Sequence, residues 1–206
     1  MSCPVSHHGM SSGRGCSQRA LGHFGRLFDL DPQFFSDEAL EALGKPGGLM
    51  HEKGRAASGN SNIPAAYTFL AQFVDHDITL DTTSQLNSTR VQTPESLPNL
   101  RSPTLDLDCV YAFGPEASPY LYDGSGRLLV GNAENANDLA RVVTGEMSGQ
   151  TEIGRALIGD PRNDENLFVS QLQLAFHLFH NKLMDAENDR FEEAQRQARY
   201  HYQYIV

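Results

Sequence analysis

Positive charge is scarce in this sequence. Sixteen Lys and Arg stand against 26 Asp and Glu, a formal net charge of −10. No basic stripe exists to replace counterions on phosphate, which excludes an electrostatic nucleic-acid binder and argues against docking on an anionic membrane. Long apolar runs are missing as well. Nothing approaches the roughly 18 consecutive apolar residues of a membrane-spanning helix, so no transmembrane segment is expected. The N-terminus MSCPVSHHGM has no apolar stretch, so no secretory signal is read there. Cysteine is sparse: Cys3, Cys16 and Cys109, an odd number with no CxxC. That excludes a disulfide scaffold, fits a reducing compartment and tips localisation towards the cytoplasm. What remains is ordinary: 206 residues with 39% hydrophobic and 20% charged residues, enough for one large domain or two small ones.

Residues 1–62 are rich in Gly, Ser and His and read as a loosely structured arm, with a short helical candidate at Asp37–Leu43. Residues 63–206 read as the domain. Its first helix is expected over 63–77, opened by Pro64 and capped by Asn62. Residues 82–104 read as loop, and 105–130 as short strand-like pieces with a hairpin at Asp123-Gly124. The clearest helix is expected over 161–187, with Asp160 as cap and Pro161 in the first turn. Phe168, Leu172, Ala175, Phe176, Phe179 and Leu183 form one apolar stripe along it. A third helix starts near Asp189 and runs through Phe191, Ala194, Ala198, Tyr202 and Ile205. Its pattern meets no stop signal before Val206, so a continuation of the domain is expected. The fold class is mainly α, with a short β-hairpin and long loops.

Three segments carry chemistry. On a helix Gln72 and His76 share a face, with Asp75 and Asp77 to either side. An imidazole there can take and return a proton near neutral pH, and Asp77 can bind a hard cation. The alternative is a solvated polar helix end. In the second segment Ser102, Thr104, Asp106 and Asp108 alternate with Pro103, Leu105 and Leu107. If extended, the segment puts these oxygen groups on one side, a set that suits calcium better than zinc. The alternative is a charged edge strand. In the third, Arg162, Glu165 and Asn166 share one face of a helical first turn, and Arg162 can steady negative charge on an oxygen. The alternative is an ordinary cap with an intrahelical ion pair. His177 and His180, three apart with no further ligand at metal spacing, read as packing or surface histidines.

In order and approximate spacing these segments resemble the animal-type haem peroxidases of the peroxidase–cyclooxygenase superfamily. That family carries a Gln-x-x-Asp-His-Asp helix, a calcium loop, and an Arg-x-x-Glu helix start with a His-Asn pair further on. Here these are Gln72 to Asp77, Ser102 to Asp108, Arg162 with Glu165, and His180-Asn181, and the resemblance covers about residues 60–206. It implies a helical peroxidase fold, present in its distal part only. The cofactors it implies are haem b and calcium. It makes His76 the distal histidine, Arg162 the distal arginine and Gln72 a residue lining the pocket. Asp75 and Glu165 align with carboxylates that form haem esters in some members. Asp77, Ser102, Thr104, Asp106 and Asp108 align with the calcium site. Asn166 stands where one member has a haem-linked Met, so no sulfonium link can form here. The family's proximal histidine lies beyond the point where this chain ends.

The activity so implied is reduction of hydrogen peroxide and oxidation of an unknown second substrate. Two other readings share the same residues: a fatty-acid oxygenase of the same superfamily, and a non-catalytic helical module that binds calcium or a partner. A metallohydrolase using Asp75, His76 and Asp77 has too few ligands. The apolar faces of the 161–206 helices are expected to seek a partner, either a C-terminal half or a second copy.

Overall fold

The computed structural model describes residues 22–31, 33–51, 62–84, 93–132, 135–147, 150–188 and 190–206. Residues 1–21 of the arm with Cys3 and Cys16, residues 52–61, residues 85–92 of the expected loop, and Asp189 lie outside them. The chain is mainly helical, as expected. Strand β1 (Gly22–His23) pairs antiparallel with β2 (Pro98–Asn99) and ties the arm to the domain. Between them come α1 (Asp37–Gly44) and α2 (Ala66–Ile78). Ser36 caps α1, whose residues are all exposed or nearly so. Two four-residue helices follow, α3 (Asp108–Tyr111) and α4 (Gly114–Ala117). Strands β3 (Arg141–Met147) and β4 (Gln150–Ala156) form an antiparallel hairpin. The chain closes with α5 (Leu167–Ala186) and α6 (Phe191–Ile205). Among the described residues no helix is long and apolar enough to cross a membrane.

Helices α2, α5 and α6 pack around an aromatic centre. The Phe73 ring stacks on Phe176 at 5.0 Å between centroids, and Tyr202 meets both edge-on. Such pairs add about 0.5–1.5 kcal/mol each beyond their buried area. On α6 the buried positions are Ala194, Ala198 and Tyr202, four apart. The two alanines let α6 approach closely, so that the tyrosine ring can reach the centre.

Several expectations need correction. Asn62 does not cap α2, which begins at Ala66 with no side-chain cap. Residues 105–113 are not strand-like. The loop bends, Leu107 takes a left-handed φ of 58°, and Asp108 opens α3. The long helix does not run unbroken from residue 161. Asp160 caps a 3₁₀ turn over Pro161–Asp164, and α5 starts afresh with Asn166 accepting from Val169 N. Arg162, Glu165 and Asn166 therefore do not share one helical face. The apolar stripe of α5 packs on the rim of the core and leaves part of its surface open. Phe168 is exposed and Leu172, Phe176, Phe179 and Leu183 are half-buried, while the buried side carries Ser170, Gln173, His177 and His180 among apolar residues. The β3–β4 hairpin was not anticipated, because its Gly- and Thr-containing sequence lacks a clean alternation.

The Asp123-Gly124 turn does form, as a five-residue loop. Tyr122 and Leu128 bridge across it, and the Asp123 carboxylate accepts from Ser125 N and Arg127 N. Gly126 adopts a φ of 89°, which its missing side chain permits. His180 Nε2 donates to the Gly126 carbonyl at 3.2 Å, and Asn181 exchanges two bonds of 2.9 Å with the Leu128 backbone. The His-Asn pair of α5 thus clasps this loop.

Candidate functional site

Helix α2 presents Phe69, Gln72 and His76 on one face by its own periodicity. The Phe69 ring stacks on Phe168 at 4.3 Å, bringing the start of α5 against this face. Gln72 Nε2 donates to Glu165 Oε2 at 3.2 Å, and Asn166 Nδ2 donates to Gln72 Oε1 at 3.3 Å. Residues 93 and 94 apart in sequence are therefore joined at one surface. Asp75 and Glu165 are exposed on it, and Thr79 Oγ1 donates to Asp75.

His76 is 5% exposed. Its Nδ1 lies 2.7 Å from Asn163 Oδ1, and its Nε2 has no hydrogen-bond partner among the described residues. Arg162 is on the same side of the molecule. Its Nη2 donates to the His76 carbonyl at 3.1 Å and to the Thr79 carbonyl at 2.6 Å. The guanidinium also bonds both carboxylate oxygens of Asp160, Nε at 3.0 Å and Nη2 at 2.7 Å. Arg162 is thus a helix-end clamp with a neutralising partner, and among the described residues only its Nη1 is left over.

Asp160 is wholly buried and shared, because Arg101 bonds the same carboxylate through Nε at 3.2 Å and through Nη2. Burial alone would raise this acid, but Arg162 and Arg101 hold it below the ordinary carboxylate range. Gly159 makes the arrangement possible. A Cβ there would stand 2.5 Å from the Cys109 carbonyl oxygen, so only glycine lets this backbone approach α3.

The acidic loop docks on the same C-terminal end of the helix, through Asp77 next to His76. One ligand atom each of Asp77, Asp106 and Asp108 lies within 4.8 Å of the others. Asp77 Oδ2 accepts from Leu107 N at 3.1 Å and Oδ1 from Cys109 N at 3.3 Å, so α2 and the loop are stitched by the carboxylate itself. Burial, then Asp108 and Asp106, push Asp77 up to about 6. Among the described residues Asp106 Oδ1 is buried with no hydrogen-bond partner, and so is the hydroxyl of Tyr202. Three carboxylates drawn together against their own repulsion, with an orphaned oxygen among them, fit a hard cation. Ser102 and Thr104 are in the same loop, where their hydroxyls bond each other at 2.7 Å. Because the loop bends, the carboxylates of Asp106 and Asp108 meet Asp77 by folding round it and not by strand alternation, while the Ser102 and Thr104 hydroxyls are not among the three gathered groups.

Sequence reading passed over Asn163, Gln173, Arg101 and the bridging role of Asp160. The available signal was an excess of polar residues on the α5 face opposite the apolar stripe. No family model, no curated protein and no solved structure matches this chain.

Proposed function

We propose that this chain forms the distal side of a haem peroxidase, with His76 handling the proton of hydrogen peroxide. One observation carries the reading. His76 is buried and held by Nδ1, its Nε2 has no partner among the described residues, and it shares a face with Gln72 beside Arg162 and Glu165. That combination suits a base that must present one lone pair in a fixed direction. The face is open, polar at Gln72, Asp75 and Glu165, and flanked by the Phe69–Phe168 stack, which fits one side of a flat aromatic macrocycle. Haem b, held against it by Gln72, Asp75 and Glu165, would supply the redox chemistry that reduces peroxide and oxidises a second substrate.

The chain's own residues do the rest. His76 Nε2 accepts a proton from peroxide and returns it to the departing oxygen. Gln72, fixed by Glu165 and Asn166, orients the entering molecule. Arg162 holds the carbonyl end of the helix that carries His76 and offers Nη1 towards developing negative charge. Asp75 and Glu165 are exposed carboxylates, accessible for ester formation. Calcium is the cation proposed for Asp77, Asp106 and Asp108, with Ser102 and Thr104 as the neighbouring oxygen donors; it would fix the α2 end against the loop.

The test is an absorption titration of the purified chain with haemin. Expected are a sharp Soret band that shifts on adding peroxide, and a His76→Ala variant that keeps the band but loses the shift. A second reading, a cation-binding helical module without redox function, is favoured by the acidic cluster, which is complete without haem. Calcium binding with no Soret band would select it.

A further inference from the structure

Behind the His76 ring a line of buried polar side chains crosses the molecule. Asn163, Gln173 and His177 are each wholly buried. Asn163 Oδ1 faces His76 Nδ1 at 2.7 Å, and Asn163 Nδ2 donates to Gln173 Oε1 at 2.7 Å. Gln173 Nε2 lies 2.8 Å from His177 Nε2, and His177 Nδ1 lies 2.9 Å from the Leu129 carbonyl. The line joins α2, the 3₁₀ turn, α5 and the 121–130 loop.

Its far end fixes its direction. The Leu129 carbonyl can only accept, so His177 must carry its proton on Nδ1. Burial pushes His177 down to about 4, so the ring is neutral and its Nε2 can only accept. Gln173 must then donate its amide N–H to that nitrogen, which turns its oxygen towards Asn163. Asn163 must donate its own N–H to Gln173, which turns its oxygen towards His76. The only group that suits this oxygen is an Nδ1–H. Reversing any link would set two acceptors or two donors face to face in a dry interior and leave both unsatisfied.

We infer that Asn163, Gln173 and His177 are positioning residues that lock His76 in the tautomer with its proton on Nδ1 and its lone pair on Nε2. The line is a lock and not a proton wire, because passing a proton along it would turn two amides into imidic acids. The use of the lock rests on the reading of His76 as the group that handles the peroxide proton; the lock itself does not.

Nitrogen-15 NMR of the histidine-labelled 206-residue chain, in mildly alkaline buffer where imidazoles are neutral, reads the tautomer directly. Free imidazole of histidine in water favours the Nε2–H form. Expected in the wild type is a bare Nε2 and a protonated Nδ1 at His76. Asn163→Leu, nearly isosteric but without the acceptor, is expected to swing the ring towards Nε2–H. Asn163→Asp, which keeps the acceptor, is expected to preserve Nδ1–H. A wild-type ring that is mainly Nε2–H overturns the inference, as does an Asn163→Leu ring unchanged from wild type. Should Asn163→Leu fail to fold, the wild-type spectrum decides alone. Haemin binding is scored separately, so loss of the lock with a retained Soret band refutes only the lock, and the converse refutes only the peroxidase reading.

Discussion

Arg162 donates to the carbonyl of Thr79 at 2.6 Å and so closes the C-terminal end of the helix that bears His76. The last carbonyls of a helix lack internal partners, and a cation there also meets the negative end of the helix dipole. Arg162→Ala leaves two carbonyls and one oxygen pair of Asp160 short of donors. A loss of about 2–3 kcal/mol in urea unfolding is expected, with Arg162→Lys intermediate. No loss in either variant would mean that the clamp does not form.

Asp160 is the counter-charge for two arginines, and Arg101 is itself buried. Asp160→Ala leaves the buried Arg101 with Asp108 alone, at 3.6 Å, and takes the acid from Arg162. Removing one partner of a buried pair typically costs about 3–5 kcal/mol. Chemical denaturation should register a loss of that order, and a double variant with Arg101→Met should recover part of it.

Calcium should stabilise the chain through Asp77, Asp106 and Asp108. At a free concentration of about 100 times the dissociation constant the gain is about 2.7 kcal/mol, visible as a rise of several degrees in Tm and abolished by chelator. Asp106→Ala should eliminate the response to calcium. Without calcium it should be no less stable than wild type, since it relieves repulsion in the cluster. A calcium response equal to wild type in that variant would contradict the site.

Burial lowers His177 and His180 from 6.5 to about 4 each. Unfolded, these rings take up a proton near 6.5; folded, only near 4. Their contribution is therefore whole above pH 6.5 and is lost as pH falls from 6.5 towards 4, about 3 kcal/mol for the fully buried His177. Urea unfolding at pH 7.5 and pH 5 should show the drop. His180→Gln should flatten part of the slope.

Helix existence was legible because α2, α5 and α6 each carry a repeating apolar pattern, and the Asp123-Gly124 turn because its residues favour a tight loop. The buried face of α5 was not. Its stripe of Phe176, Phe179 and Leu183 packs on the rim of the core, whereas Gln173 and His177 are buried because each finds a further partner on another element, Asn163 and the Leu129 carbonyl, a relationship no local pattern records. The break at Glu165–Asn166 was hidden for a related reason: Asp160 and Asn166 are both good caps, and the sequence does not say which one starts the long helix. Gln72, His76, Arg162 and Glu165 were expected together and do lie together. The restraint of Arg162 by Asp160 was invisible, since that acid read as a cap alone.

The most direct test of the central claim is where haemin binds. Ferric haem broadens nearby resonances, so titration into nitrogen-15-labelled chain maps the contact. Broadening centred on Gln72, His76 and Glu165 is predicted. Broadening confined to the apolar groove between α2, α5 and α6, around Leu70, Phe176 and Phe179, or none at all, would contradict it.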